Sequence, residues 1–135
     1  MKVVLDTNVL VSGLLTPSGP CGQITDLVIE REIILCVDER ILEEYETVLS
    51  RFMSERTQAH IDDLLELIRY SSERVIPRPL AISLPDLSDL PFLEVAVFVE
   101  GILVTGNKKH FIPAIPRFKD RVNVVDPREF LYRLS

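Results

Sequence analysis

Val3-Val4-Leu5-Asp6-Thr7-Asn8-Val9-Leu10-Val11-Ser12 is the stretch from which the rest of the chain can be read. Three aliphatic residues run without alternation and stop at an acid, the pattern of a short strand buried on both faces. A helical stretch then follows and breaks at Thr16-Pro17-Ser18-Gly19-Pro20, where the prolines and glycine make a loop. Ile24, Leu27 and Val28 resume a helical stripe, and Ile33 to Val37 forms the next buried strand. The same alternation recurs downstream. Asp38 caps a helix whose inner face carries Ile41, Leu42, Tyr45, Val48, Leu49 and Phe52. A third helix spans roughly residues 54–70, and Val75-Ile76 reads as a short strand stopped by Pro77 and Pro79.

After a loop over residues 77–90, Phe92, Val95, Ala96 and Val99 define a helix starting near Ser88 or Asp89, with Pro91 in its first turn and Gly101 ending it. Ile102-Leu103-Val104-Thr105 and Val122-Asn123-Val124-Val125 are further strands, and Asp126-Pro127 opens a last short helix. Strands alternating with helices predict an α/β fold: a mainly parallel sheet covered on both faces by right-handed crossovers.

The 135 residues, 47% of them hydrophobic, suit a single domain over 1–135 with a sizeable core. No apolar run approaches the roughly 18 residues of a membrane span. Met1 to Leu5 is too short for a signal-peptide core, and Cys21 and Cys36 form no disulfide or zinc framework, so a reducing cytoplasm is expected. A net charge of −6 disfavours a module that binds polyanions by overall attraction. Local distribution matters more. Residues 84–100 carry Asp86, Asp89, Glu94 and Glu100 without a cation, whereas residues 108–121 carry Lys108, Lys109, Arg117, Lys119 and Arg121 against Asp120 alone. An acidic site beside a basic strip would bind cations and phosphates side by side.

Ligands of open α/β sheets bind beyond the carboxyl ends of the strands. Asp6 and Asn107 follow strands there, and Asp89 begins a helix that starts at the same edge. Glu44 lies about 9 Å along its helix from Asp38, still near that edge. Helical-wheel geometry excludes Glu43, which falls nearly opposite the apolar stripe, but leaves Glu44 and Glu46 equivalent, each about 40° outside one border.

Four blocks resemble, in order and over almost the whole chain, the motifs of the PIN-domain family: Leu5 to Ser12, Ile41 to Tyr45, Asp86 to Glu94, and Val104 to Phe111. The resemblance is to the branch of toxin components of toxin–antitoxin systems. It implies a three-layer α/β/α fold and a metal-dependent ribonuclease, with a homodimeric assembly and a cognate antitoxin. Residue by residue, it makes Asp6 and Asp89 metal ligands and selects Glu44 over Glu46 as the helix carboxylate. Asn107 stands where the family usually has a fourth acid. Thr7 and Asn8 are implied to orient Asp6, with Ser12, Asp86 and Thr105 around the same cavity.

All-oxygen ligands point to Mg²⁺ or Mn²⁺ rather than zinc, ions that would activate water and neutralise charge on an RNA phosphodiester. Crowded carboxylates without a metal repel one another and should take up protons or cations. Lys108 and Lys109 are the candidate RNA contacts, and His110 beside them is a candidate phosphate contact. Glu94, in the first helical turn, reads as complementary to the helix dipole or as an extra acid. His60 reads as solvated, and the cysteines as apolar filler. Two rival functions remain. One is an aspartyl phosphatase with Asp6 as nucleophile, disfavoured because Asn8 replaces the second acid of its DxDxT motif. The other is a catalytically weak module that binds RNA or protein.

Overall fold

A computed structural model describes all of residues 1–135. Val3, Val4 and Leu5 of β1 (Lys2–Leu5) are wholly excluded from solvent, as an uninterrupted aliphatic strand requires. β1 lies at the centre of a five-stranded, all-parallel sheet of order β3-β2-β1-β4-β5. Its neighbours are β2 (Ile34–Val37) and β4 (Ile102–Val104), with β3 (Glu73–Arg74) and β5 (Asn123–Val125) at the edges. Val3 aligns with Leu35 on one side and Ile102 on the other. The chain therefore leaves β1 toward β2 and β3 and later returns to the opposite side through β4. The crevice between the ends of β1 and β4 is the switch point of the topology, where such sheets bind ligands.

The helices are α1 (Thr7–Leu15), α2 (Pro20–Ile29), α3 (Glu39–Ser50), α4 (Gln58–Ser71), α5 (Leu90–Val99), α6 (Ala114–Arg117) and α7 (Pro127–Leu134). They flank the sheet in an α/β/α arrangement: α5 lies across β1, β2 and β4, while α2 packs against α1, α4 and α7. Asp38 caps α3 by accepting a hydrogen bond from the Ile41 amide. Asp126 and Glu129 close a reciprocal capping box on α7. No helix is long and apolar enough to cross a membrane.

Two local expectations change. The third strand is Glu73–Arg74 rather than Val75-Ile76. An edge strand pairs through its backbone alone, so its side chains are free to be charged: Glu73 bridges to Lys2 and Arg74 to Glu39, while Ile76 is left 91% exposed. At the end of α5 the left-handed residue is Glu100, with φ 52°, and not Gly101. Gly101 is needed for space, because a Cβ there would lie 2.7 Å from the carbonyl oxygen of Lys2. Phe52, just past α3, packs against the core, in keeping with its place on the inner face of that helix.

Candidate active site

Asp6 follows β1 directly, and its backbone amide still donates to Val104 of β4, so the carboxylate is held at the switch point by the sheet itself. Its side chain is buried and accepts from the Thr105 hydroxyl at 2.7 Å, with the Asn8 amide nitrogen at 3.5 Å. Asn8 also accepts from the Gly106 amide at 3.2 Å, tying the start of α1 to the turn after β4. Thr105 serves twice: its oxygen also accepts from the amide of Asn107. Thr7, Asn8 and Thr105 thus form a polar collar around the β1 and β4 ends.

Tertiary packing separates Glu44 from Glu46. The Thr7 hydroxyl donates to the Glu44 carboxylate. Glu46 faces α4 and pairs with Arg69. Tyr45, fully buried between them, donates its hydroxyl to the Leu5 carbonyl and so fixes α3 against the end of β1. Asp89, buried where the 3-10 turn Leu87–Asp89 meets α5, has its Oδ2 3.2 Å from the Nδ1 of His110. His110 lies on a second 3-10 turn, Lys108–Phe111, anchored by the buried Phe111. The ring therefore connects the fourth motif to the third, a role that nothing in its spacing along the chain signalled.

Other candidates sit differently. Asp86 is exposed and folds back on its own turn, accepting from the Ser88 amide and hydroxyl; these bonds hold its carboxyl below the ordinary value. Asn107 is exposed at the mouth, and only its backbone is bonded. Ser12 is exposed beside the Cys21 thiol and makes no hydrogen bond to the acids. Lys108 pairs with Glu129 of α7, whereas Lys109 is exposed without an ion-pair partner. Glu94 is engaged away from the other acids and lies past the first turn of α5. It is buried, accepts from the Leu80 amide at 2.7 Å and pairs with Arg40 at 2.8 Å; Arg40 also holds Asp38 at 2.6 Å.

The acids disturb one another. Burial raises the Asp6 carboxyl above its ordinary value, and Asp89 raises it further against the lowering effect of Thr105. Burial likewise raises Glu44, with Asp6 and Asp86 adding to it, and raises Asp89, with Asp86 and Glu44 adding to it. No three acidic, histidine or cysteine side chains stand close enough together to form a metal sphere as they are. The donor chemistry nevertheless suits a hard dication, since three carboxylates that repel one another in a partly dehydrated crevice are relieved by positive charge.

A stability prediction follows from the same directions. The folded chain holds protons on these three groups to higher pH than the unfolded chain does. Their contribution is therefore most favourable at low pH and is lost as pH rises from the ordinary values of 3.8 and 4.5 through the raised ones. Asp89→Asn should raise the melting temperature of the metal-free protein at neutral pH by about 3–5 °C, equivalent to roughly 1 kcal/mol, and should flatten the decline with pH. Calorimetric melts in chelator across the acid-to-neutral range test this; a lower melting temperature at neutral pH would mean that its carboxylate stabilises the fold.

A family model described as PIN domain matches residues 2–109. An uncharacterized protein of Methanocaldococcus jannaschii is 32% identical over 114 residues, covering 80% of this chain and 72% of that protein. Among solved structures, VapBC2 from Rickettsia felis, bound to a DNA fragment from their promoter, superposes with a TM-score of 0.58. That likeness covers 93% of this chain and 98% of the other at 16% identity, and is one of fold.

Proposed function

The chain belongs to the PIN-domain family, a family of nucleases, and on that premise we propose that it is a divalent-metal-dependent endoribonuclease whose ligands are Asp6, Glu44 and Asp89. The observation that carries this reading is that three carboxyls from distant parts of the sequence lie near enough at the switch point of the sheet to raise one another's protonation, each with its own hydrogen-bond or ring partner. Mg²⁺ or Mn²⁺ suits an all-oxygen set. When bound, such an ion supplies Lewis acidity that activates water and offsets the charge developing on the phosphate.

The chain's own residues provide orientation. Thr105 and Asn8 set the direction of Asp6, Thr7 that of Glu44, and His110 that of Asp89. Asn107, at the exposed mouth, offers a neutral oxygen where a fourth acid would add charge. Lys109, exposed on the adjoining turn, is the proposed contact to the RNA backbone. The fold likeness to VapBC2 supports a further reading, that this chain is the toxin of a toxin–antitoxin pair with a cognate antitoxin protein.

Calorimetric titration with Mn²⁺ tests the site without requiring turnover. The wild-type chain should bind, and the Asp6→Asn, Asp89→Asn double variant should lose binding by at least about tenfold, since removing even an outer partner of a ligand typically costs that much. Undiminished binding in the double variant would reject these ligands.

A further inference from the structure

The basic strip expected beside the acids is divided. Lys108 turns toward α7 to pair with Glu129, whereas Arg117 and Arg121 turn the other way, toward α5 and the loop before it. Arg117 donates to the Ala81 carbonyl and lies over the Phe118 ring; Arg121 makes one long bond to the Val97 carbonyl. With Arg78 they gather on one flank of α5, and none of the three forms an ion pair.

Between Arg78 and Arg121 is a cavity of about 300 Å³ whose apolar wall is Leu80, Val97 and Phe98. Its one acid, Glu94, is already engaged by Arg40 and the Leu80 amide. Phe98 stands 46% exposed there although it belongs to an otherwise almost wholly buried helix. Two other cavities of similar or larger size have different chemistry. One of about 270 Å³ sets Asp38, Glu39 and Glu94 against Arg40 alone, which disfavours an anion. One of about 440 Å³ near α7 has no Lys or Arg in its lining.

We propose that the Arg78–Phe98–Arg121 cavity is a nucleotide-binding subsite for single-stranded RNA, in which Phe98 stacks on a base and the two arginines hold flanking phosphates. An aromatic face combined with unneutralised cations is how single strands are held without sequence readout. Phe98 lies nine residues along α5 from Asp89, about 13 Å at the helical rise, a separation that a few nucleotides of single strand can span. The inference rests on the ribonuclease reading, but its test needs neither metal nor cleavage.

Fluorescence anisotropy with a labelled single-stranded oligoribonucleotide, in chelator and across a salt series, measures it. Arg78→Ala with Arg121→Ala should weaken binding about tenfold at low salt and reduce the salt slope by about 1.4, the value for two phosphate contacts on a single strand. Phe98→Ala should weaken binding about tenfold, Phe98→Tyr should retain it, and an oligomer with abasic sugars should bind the wild-type and Phe98→Ala proteins equally. Arg51→Ala with Arg56→Ala, exposed arginines elsewhere, serves as the charge control.

Equal effects of the two arginine pairs would overturn the subsite, leaving only general attraction. Loss with the arginines but none with Phe98→Ala would also overturn it, and would indicate an anionic surface suited to an acidic protein. Neutral variants in an enzyme that still cleaves with metal would defeat this inference alone. Binding that follows the prediction in a chain whose acid variants cleave normally would defeat the nuclease reading of the carboxylates instead.

Discussion

Asp6→Asn is expected to lose metal-dependent RNA cleavage by at least about three orders of magnitude, the consequence of removing several kcal/mol of charge stabilisation from the reacting phosphate. The change is small in volume and leaves an oxygen that can still accept from Thr105, so the fold should persist. RNA binding without metal should hold steady or tighten, because a negative charge near the polymer has gone. This combination separates a ligand from a scaffold residue. Thr105→Val, which removes only the hydroxyl that orients Asp6, should reduce metal affinity by a smaller factor, about 10–100. Single-turnover cleavage of a labelled RNA by extensively purified protein, with Mn²⁺ varied, measures both. Wild-type cleavage by the Asp6→Asn protein would remove Asp6 from the site, and equal losses in the two variants would make Thr105 more than an orienting group.

The second large effect concerns folding rather than chemistry. Glu94→Ala should destabilise the chain by about 2–3 kcal/mol, lowering the melting temperature by about 10 °C. Glu94 is 4% exposed and makes two contacts, one to the Arg40 guanidinium and one to the Leu80 amide. Removing it leaves Asp38 as the remaining carboxylate on Arg40 and leaves the Leu80 amide without its acceptor. The expected cost is below that of a fully buried pair because the Arg40 side chain is 48% exposed and water can reach it. Glu100→Ala, at the exposed end of α5, should change stability little. Denaturant melts of both variants test the contrast, and Mn²⁺ affinity of the folded Glu94→Ala protein should remain near wild type. A loss below about 1 kcal/mol would show that the Arg40 network is incidental, and a selective loss of metal affinity would return Glu94 to the site.

Much of this architecture was legible along the chain because its signals are local. Val3 to Leu5, Ile102 to Val104 and Val124-Val125 are unbroken apolar runs that cannot face water on either side, and their alternation with helical stripes leaves few alternatives to a parallel sheet. Asp38 and Asp126 cap helices through amides three residues away, contacts that require no knowledge of the rest of the fold. The order of the motifs was equally readable. Asp6 and Asp89 could be placed at one sheet edge from the direction in which parallel strands and their helices run.

What depended on distant partners could not be read this way. Glu44 and Glu46 are equivalent on a helical wheel and differ only because Thr7 lies on one side of α3 and Arg69 on the other. Glu94 reads along the chain as a first-turn acid facing the helix dipole or the site, and only the loop carrying Leu80 and the guanidinium of Arg40 give it its partners. Lys108 and Arg121 lie in one cationic stretch of sequence, yet the turns between β4 and β5 direct them to opposite neighbours, Glu129 and Val97. His110 gained its place beside Asp89 in the same way. Periodicity specifies which face of an element is buried, through the hydrophobic effect acting on that element alone. The partner of a charged or polar side chain is set by which elements meet, so it exists only once the sheet has brought residues dozens of positions apart within a few ångströms.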